Sequence, residues 1–441
     1  MIGWLRSPPR LALRSVASAG ARITTVGALL LTTSLAARKM SAEEFGLWSI
    51  LIALMFLFLI FDFGFRYGLS NRMAALVARS GGRPEPEQPN TFMSVLWLQC
   101  LIGIVGGILC LAIFPALPWV KLFKIHQADL AGQVPHVMAF TGAFLFLYLP
   151  FSLAGSVFYA YQEITLVSIL SGAQSLVLLA VFALTVFRLS FLYVVTAYFA
   201  VYLSTGLIMT VILLRKRRWL LRWVPWMAQI SLIRSISRPS LDFFILCFSA
   251  SLTTTAGTFL AGAVAGLKEA GDFALLQKIF SLLITLHLAL LAPLAPAYTQ
   301  HAQLDQWNWV RQKLAFSVLR IWPLVFIGGG GLFFLFHPMI IRLWAGRWLP
   351  NFTLAGLLAL WALTSGWINT HSILLNSLGI VRFQGMFFLA MVIPVLALPL
   401  ILGRWWGIHG VALAGLICAA PAAVIWPAYT ARALKEKWLR V

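Results

Sequence analysis

The chain has 441 residues, of which 61% are hydrophobic and only 10% are charged, and its formal net charge is +21. Soluble domains carry about 25% charged residues, so this composition excludes a chain of soluble domains and most soluble enzymes. In a soluble protein such a positive charge would suggest nucleic acid. In so apolar a chain it indicates loops beside anionic lipid headgroups, and nucleic acid is not an expected partner.

Apolar stretches of membrane-spanning length follow one another along nearly the whole chain. A helix needs about 20 mostly apolar residues to cross roughly 30 Å of hydrocarbon, and a backbone in lipid must satisfy its own hydrogen bonds, which favours helices. We therefore predict an all-α integral membrane protein with about twelve transmembrane helices. The predicted spans are 17–38, 45–65, 92–114, 136–158, 165–187, 191–214, 239–262, 272–297, 318–337, 353–375, 383–403 and 408–430.

Basic residues are concentrated in alternate gaps between these spans. Because lysine and arginine accumulate in cytoplasmic loops, this distribution places the N-terminus in the cytoplasm. An even number of spans then returns the C-terminus to the same side of the membrane.

The longest basic gap covers 215–238 and divides the chain into two halves. We predict an N-terminal six-helix lobe at 1–214, a basic cytoplasmic linker at 215–238 and a C-terminal six-helix lobe at 239–441. Six spans in each half give both lobes the same orientation, which corresponds to a parallel repeat about the membrane normal. The turn at 159–163, after the fourth span, has a counterpart at 376–380, after the tenth.

Charged side chains inside the predicted spans are the first candidates for a functional site. An ionisable group in the middle of a bilayer costs about 2.5–3.5 kcal/mol and usually faces a cavity. Arg22 in the first span shares a helix face with Thr25, and Lys278 in the eighth span shares one with Ser281. Both faces are predicted to line a water-filled cavity. The alternative is that the two long side chains snorkel to the interface.

Two acids and one histidine in the spans are candidates for ion coupling. Asp62 precedes Arg66 by four residues, and Asp242 follows Arg238 by four residues, so pairing and helix capping is the simpler interpretation. A cation or proton site is the alternative, with Arg66 and Arg238 at the cytoplasmic mouth of the cavity. His287 in the eighth span is interpreted as a packed neutral side chain, with a proton relay as its alternative.

Motifs of enzymes and metal sites are missing from the sequence. It contains no HExxH motif, P-loop, GxSxG elbow or suitably spaced pair of carboxylates. We therefore predict no enzyme activity, no catalytic residue, no metal and no cofactor.

Several short motifs resemble one transporter family. They are EEFGLW at 43–48, DFGF at 62–65, GDFA at 271–274, PLAPAY at 293–298 and WGIHGVALA at 406–414. Together they are similar to the polysaccharide-export and lipid-linked oligosaccharide flippases of the O-antigen type. These flippases belong to the multidrug/oligosaccharidyl-lipid/polysaccharide exporter superfamily.

The resemblance implies a V-shaped, alternating-access transporter of the bacterial cytoplasmic (inner) membrane. Its cargo would be a polyprenyl-pyrophosphate-linked oligosaccharide, moved from the cytoplasmic to the outer leaflet in lipopolysaccharide or related polysaccharide biosynthesis. The cavities of the family are basic, which assigns Arg22 and Lys278 to the pyrophosphate. Membrane lipids are implied partners, a glycan polymerase and chain-length proteins are candidate ones, and a monomer is expected.

Three other functions remain as alternatives at this point. A cation-coupled multidrug or toxin exporter of the same superfamily would have an acidic lumen, whereas the central charges here are basic. An integral-membrane glycan-assembly enzyme, such as a polymerase or glycosyltransferase, would need a large loop with carboxylates, and the largest outer gap, 115–135, offers only Asp129. An assembly subunit without transport would not need polar helix faces.

Overall fold

Every regular element in the described part of the chain is a helix. The computed structural model describes residues 9–58, 61–81, 83–221, 225–380 and 382–438. The helices are α1 (Pro9–Lys39), α2 (Ala42–Phe58), α3 (Phe65–Arg79), α4 (Glu87–Ile113), α5 (Trp119–Leu122), α6 (Ala128–Ala160), α7 (Ile164–Thr185), α8 (Phe191–Lys216), α9 (Trp226–Ala265), α10 (Leu267–Leu291), α11 (Leu294–Gln303), α12 (Trp307–Phe316), α13 (Gly330–Ala345), α14 (Phe352–Ser377) and α15 (Arg382–Trp438). Short 3-10 turns lie at Phe114–Ala116 and Arg218–Leu220, and π-helical segments at Ser317–Ile321 and Leu324–Gly329. The predicted all-α class is confirmed.

Nine helical stretches in the described residues are long and apolar enough to cross a membrane, which makes the chain a multi-pass membrane protein. One of them, Arg382–Lys435, has 54 residues. It is interrupted at Gly407, whose φ of 56° and ψ of −136° belong to a region that is open essentially to glycine alone. This break falls between the predicted spans 383–403 and 408–430. The total of twelve spans stays a prediction.

Two predicted spans contain turns that the hydropathy pattern does not indicate. The predicted span 45–65 covers most of α2 and a turn at 61–64, after which α3 begins at Phe65. The predicted span 272–297 covers most of α10, a break at Pro293 and the start of α11. Pro293 lies between apolar residues, whereas the turn at 61–64 contains Asp62 and leads into the more polar α3. A window of about 20 residues averages over both breaks.

The chain forms two compact units. Unit 1 comprises Met1–Ser41, Met55–Lys121 and Ile125–Phe244, and unit 2 comprises Ala42–Leu54, Leu122–Lys124 and Ile245–Val441. In unit 1, α4 and α8 pack on α6, and α1 packs on α7. In unit 2, α14 packs on α10 and α15. The predicted lobes at 1–214 and 239–441, with their linker, stay a prediction.

One close approach in unit 2 requires a glycine. A Cβ atom added at Gly46 on α2 would lie 1.7 Å from the carbonyl oxygen of Leu267, at the start of α10. The backbones of the two helices therefore touch, which small residues at helix interfaces in membranes permit.

The turns at 159–163 and 376–380, which suggested a repeat, have the same hydrogen-bond pattern. After α6, the N–H of Glu163 donates to the carbonyl of Phe158 at 2.8 Å, and Gln162 has a φ of 58°. After α14, the N–H of Ile380 donates to the carbonyl of Leu375 at 2.9 Å, and Gly379 has a φ of 76°. Each is a left-handed helix C-cap, a common way for helices to end, and the repeat itself stays a prediction.

Candidate functional site

A buried carboxylate at the break between α2 and α3 fixes the position of a cation. Asp62 is only 3% exposed. Its carboxylate accepts hydrogen bonds from the backbone N–H of Gly64 at 2.9 Å, from the backbone N–H of Arg66 at 3.3 Å and from the Nε of Arg66 at 2.8 Å. Phe63 and Gly64 adopt positive φ values of 50° and 74°. Asp62 therefore satisfies first-turn donors of α3 and holds the Arg66 guanidinium by a charge-assisted bond.

Arg66 lines a cavity of about 540 Å³ within unit 1. The wall consists of Arg66, Tyr67, Ser70, Tyr148, Ser152, Gly155, Ser156, Tyr159, Val167, Ser171, Gln174 and Met209. It thus combines a guanidinium, phenols, hydroxyls and an amide. No carboxylate lines this cavity among the described residues.

The polar residues of the wall follow helical spacing. On α6 they are Tyr148, Ser152, Ser156 and Tyr159, and on α7 they are Ser171 and Gln174. Positions three, four, seven or eight apart lie on one helix face, so each helix presents a polar stripe to the cavity. The sequence analysis named Arg66 but missed the rest of this wall, because it started from charged residues in the spans. The same spacing test, applied to serine, tyrosine and glutamine, would have found it.

One amide in the wall has an unmet hydrogen-bonding requirement. The Nε2 of Gln174 is buried and has no hydrogen-bond partner among the described residues. Buried polar atoms in proteins are nearly always paired, so this nitrogen is a candidate ligand contact. By contrast, the hydroxyl of Ser152 is satisfied, since it donates to the carbonyl of Leu149 at 2.6 Å.

Tyr148 is held in the wall by close packing within unit 1. Its ring centroid lies 4.5 Å from that of Tyr202 on α8. A Cβ atom added at Gly206 would lie 2.6 Å from the Tyr148 ring. The Tyr148 ring therefore packs directly against the backbone at Gly206, in space that a side chain would occupy.

An ionic cluster closes the turn after α6. The carboxylate of Glu163 accepts from the Nη2 of Arg217 at 2.6 Å and from the Nζ of Lys216 at 2.9 Å. The guanidinium of Arg217 lies 3.8 Å from the ring centroid of Tyr161, whose hydroxyl donates to the Oε1 of Gln88 at 3.2 Å. Burial alone would raise the pKa of Glu163, but the hydrogen bonds from Arg217 and Lys216 outweigh it and hold this pKa below its ordinary value of 4.5.

The four residues predicted to bind substrate lie in different units. In unit 1, Arg22 is exposed on α1, and the hydroxyl of Thr25 donates to the carbonyl of Ala21 at 3.0 Å. In unit 2, Lys278 and Ser281 are partly buried on α10. None of the four belongs to the wall of the unit 1 cavity, and their joint role stays a prediction.

The candidates for ion coupling have separate surroundings. Asp62 is paired with Arg66, as the simpler interpretation predicted. His287 is buried in unit 2, where its Nε2 lies 3.2 Å from the Oγ1 of Thr370 and its ring packs edge-on against Phe326. The side chains of Asp242 and Arg238 lie outside the described residues. Within the described part, no group of three histidine, cysteine, aspartate or glutamate side chains is placed to hold a metal ion.

Unit 2 contains an interior cavity of a different kind. Its volume is about 160 Å³. Trp361, Phe388, Met391 and further apolar side chains dominate its wall, where Asn369 is one of few polar residues.

A family model described as polysaccharide biosynthesis protein matches residues 15–300 of the chain. Comparison with curated proteins gives no match.

Solved transporter structures share the fold over nearly the whole chain. An inward-facing multidrug resistance MATE family transporter of the MOP superfamily has a TM-score of 0.72 at 14% identity, and the match covers 92% of this chain and 94% of that one. The lipid II flippase MurJ in its inward closed conformation has a TM-score of 0.68 at 16% identity, with 94% and 86% covered.

A MOP superfamily transporter from Pyrococcus furiosus, whose binding pocket of reverse polarity suggests a different function, has a TM-score of 0.56 at 14% identity, with 97% and 95% covered. At identities this low, these likenesses show the fold. The family that the sequence motifs resemble rests instead on the match of residues 15–300 to the family model.

Proposed function

Because the chain belongs to the polysaccharide biosynthesis protein family, we propose that it is a transporter for a lipid-linked glycan with an anionic headgroup. The cargo is a polyprenyl-pyrophosphate-linked oligosaccharide or a similar lipid, and it moves from the cytoplasmic to the outer leaflet of the bacterial inner membrane by alternating access. Both chain termini face the cytoplasm in this proposal.

The polar cavity of unit 1 is the observation that carries the proposal. Polar groups inside spanning helices are costly and mark substrate pathways. Sugars cannot enter hydrocarbon without losing hydrogen bonds to water, and the serine and tyrosine hydroxyls of the wall offer replacements. The planar fork of Arg66 matches phosphate oxygens.

The membrane potential favours this direction of transport. An inside-negative potential drives anions outward by about 2.3 kcal/mol per charge per 100 mV. The pyrophosphate headgroup would therefore need little further driving force, and coupling to a cation through His287 or Asp242 is an optional addition to the proposal.

A multidrug exporter is the second candidate, and the likeness to a MATE family transporter favours it. A cationic drug would need an acidic pocket. In the described part of unit 1 the cavity wall lacks a carboxylate, and Asp62 is committed to Arg66. The Pyrococcus furiosus transporter has a binding pocket of reverse polarity that suggests a different function. The charge of the pocket is therefore a reasonable criterion for separating the two candidate functions. A glycan-assembly enzyme is less well supported, because the matching folds are those of transporters.

Reconstituted vesicles distinguish the candidates. The purified protein is placed in liposomes with a fluorescent polyprenyl-pyrophosphate oligosaccharide, and a membrane-impermeant reagent measures how much lipid reaches the opposite leaflet. Parallel vesicles are loaded with a cationic dye. We expect lipid translocation above the protein-free rate and no dye transport. Dye transport without lipid translocation would favour the exporter.

A further inference from the structure

The unit 1 cavity has the features of a site for one sugar residue. Resting on the proposed function, we infer that this cavity binds the glycosyl group next to the phosphate of the cargo, through Gln174 and the phenol rings of Tyr67 and Tyr159. Neither the proposed transport nor the family match assigns these three residues a role.

The amide of Gln174 supplies the first argument. Its Nε2 lies in the cavity wall, is buried and lacks a hydrogen-bond partner among the described residues. A buried donor without a partner costs about 1–3 kcal/mol. A sugar hydroxyl or ring oxygen in the cavity would accept this hydrogen bond and remove the penalty.

The two phenols supply the second argument. Tyr67 on α3 is 45% exposed and Tyr159 on α6 is 48% exposed, although both line the cavity. Nearly half of each side chain is therefore accessible in the folded protein. An aromatic ring offers an apolar face with a polar hydroxyl at its end, which suits a sugar, whose C–H groups are apolar and whose rim carries hydroxyls.

The size and composition of the cavity supply the third argument. Small-molecule sites measure about 300–1,000 Å³, and a cavity of about 540 Å³ falls in that range. It holds a single ring rather than a whole oligosaccharide with its lipid tail. Serine and tyrosine hydroxyls both donate and accept hydrogen bonds, as sugar hydroxyls do. The smaller, mostly apolar cavity of unit 2 lacks this composition.

The test compares two lipids in the same vesicles. One is polyprenyl pyrophosphate without sugar, and the other carries a single N-acetylhexosamine. The variants are Gln174→Met, which keeps the length of the side chain without its donors, and Tyr159→Leu. Tyr193→Leu is the matched control, because Tyr193 is 63% exposed on α8 and lies outside the cavity wall. Gel filtration and thermal unfolding report whether each variant is folded.

We expect both cavity variants to slow translocation of the sugar-bearing lipid by about 2- to 10-fold, the equivalent of one lost hydrogen bond. Translocation of the bare lipid and the control variant should be unchanged. An equal effect on both lipids, or no effect, overturns the sugar site and leaves the transport proposal intact. A wild-type protein that moves neither lipid overturns both proposals. As a check independent of translocation, the sugar-bearing lipid should protect a Tyr159→Cys variant from thiol labelling more than the bare lipid does.

Discussion

Asp62 shows how much one buried carboxylate determines in this molecule. It accepts hydrogen bonds from Gly64 and Arg66, and its own carbonyl accepts one from the side chain of Gln99 at 3.0 Å. The acid is 4% exposed in its side chain, whereas the arginine is 30% exposed. The pair is therefore unequal, because water can solvate a released Arg66 but cannot reach a released Asp62.

This inequality predicts an order of stabilities. Arg66→Gln strands a buried negative charge, which typically costs about 3–5 kcal/mol. Asp62→Asn leaves a partly solvated cation and should cost less. The double variant Asp62→Asn/Arg66→Gln should be more stable than Arg66→Gln alone. Chemical denaturation in detergent measures the order, with Glu87→Gln on the exposed start of α4 as the control. Equal stabilities for the two single variants would contradict the account.

Glu163 gives a prediction for the dependence of stability on pH. Its pKa is lowered in the folded protein, so its ion pairs stabilise the fold fully above pH 4.5, and this stabilisation is lost as the pH falls through the lowered pKa. The difference in unfolding temperature between wild type and Glu163→Gln should be constant above that pH and shrink below it. A difference that is the same at pH 7 and pH 3 would refute the role of the charge.

Among individual residues, the sequence predicted an ion pair but did not predict the wall of the unit 1 cavity. The spacing of Asp62 and Arg66 predicted their ion pair from the rule for residues four apart on a helix, although in the structure the pair forms across the turn at 61–64 and the start of α3. The cavity was not predictable from charges, since its wall depends on hydroxyls and phenols from three helices. Local periodicity could identify the stripe on α6, but not that α3 and α7 would face it.

Among the helices, the breaks are more informative than the lengths. Most predicted spans fall within observed helices because hydropathy determines which segments enter lipid. The break at 61–64 depends on the positive φ values of Phe63 and Gly64, and the break at Pro293 depends on the missing N–H of proline. A hydropathy window reports neither property. The first break is the one that brings Arg66 to the cavity.

The contact between α2 and α10 in unit 2 predicts a strong effect of one methyl group. Gly46→Ala would place its Cβ against the backbone of Leu267, and a backbone cannot move aside as a flexible side chain can. We expect a large loss of folded, monodisperse protein on expression. Gly27→Ala on α1 is the matched control, because nothing lies within 4 Å of its added Cβ. Similar yields for both variants would show that the helices can separate at little cost.

Across the whole molecule, the predicted substrate residues Arg22 and Lys278 lie in separate units, while the cavity with Arg66 belongs to unit 1 alone. We propose that Arg22 and Lys278 contact the headgroup at other stages of the cycle. Arg22→Ala should then abolish lipid translocation without reducing the amount of protein in the membrane. Normal glycan export by cells with Arg22→Ala would remove Arg22 from the pathway.

Water access gives an independent check on those two positions. Single cysteines at positions 22 and 278, introduced into a variant without native cysteines, should react with a membrane-impermeant thiol reagent from at least one side of the membrane. Addition of the lipid-linked glycan should slow the reaction. If both cysteines are sealed from the reagent on both sides, the two residues do not line an aqueous pathway.

The rate of lipid translocation by a variant whose unit 1 cavity carries no charge tests the central claim most directly. The double variant Asp62→Asn/Arg66→Gln removes the cation of the unit 1 cavity without stranding an acid, and Arg79→Gln removes an exposed cation from the same helix. In vesicles with an inside-negative potential, the double variant should move the lipid-linked glycan about 10- to 100-fold more slowly than wild type, the value of a charge-assisted contact. Arg79→Gln should match the wild-type rate. A folded double variant that moves the glycan at the wild-type rate would contradict the claim that this cavity carries the anionic cargo.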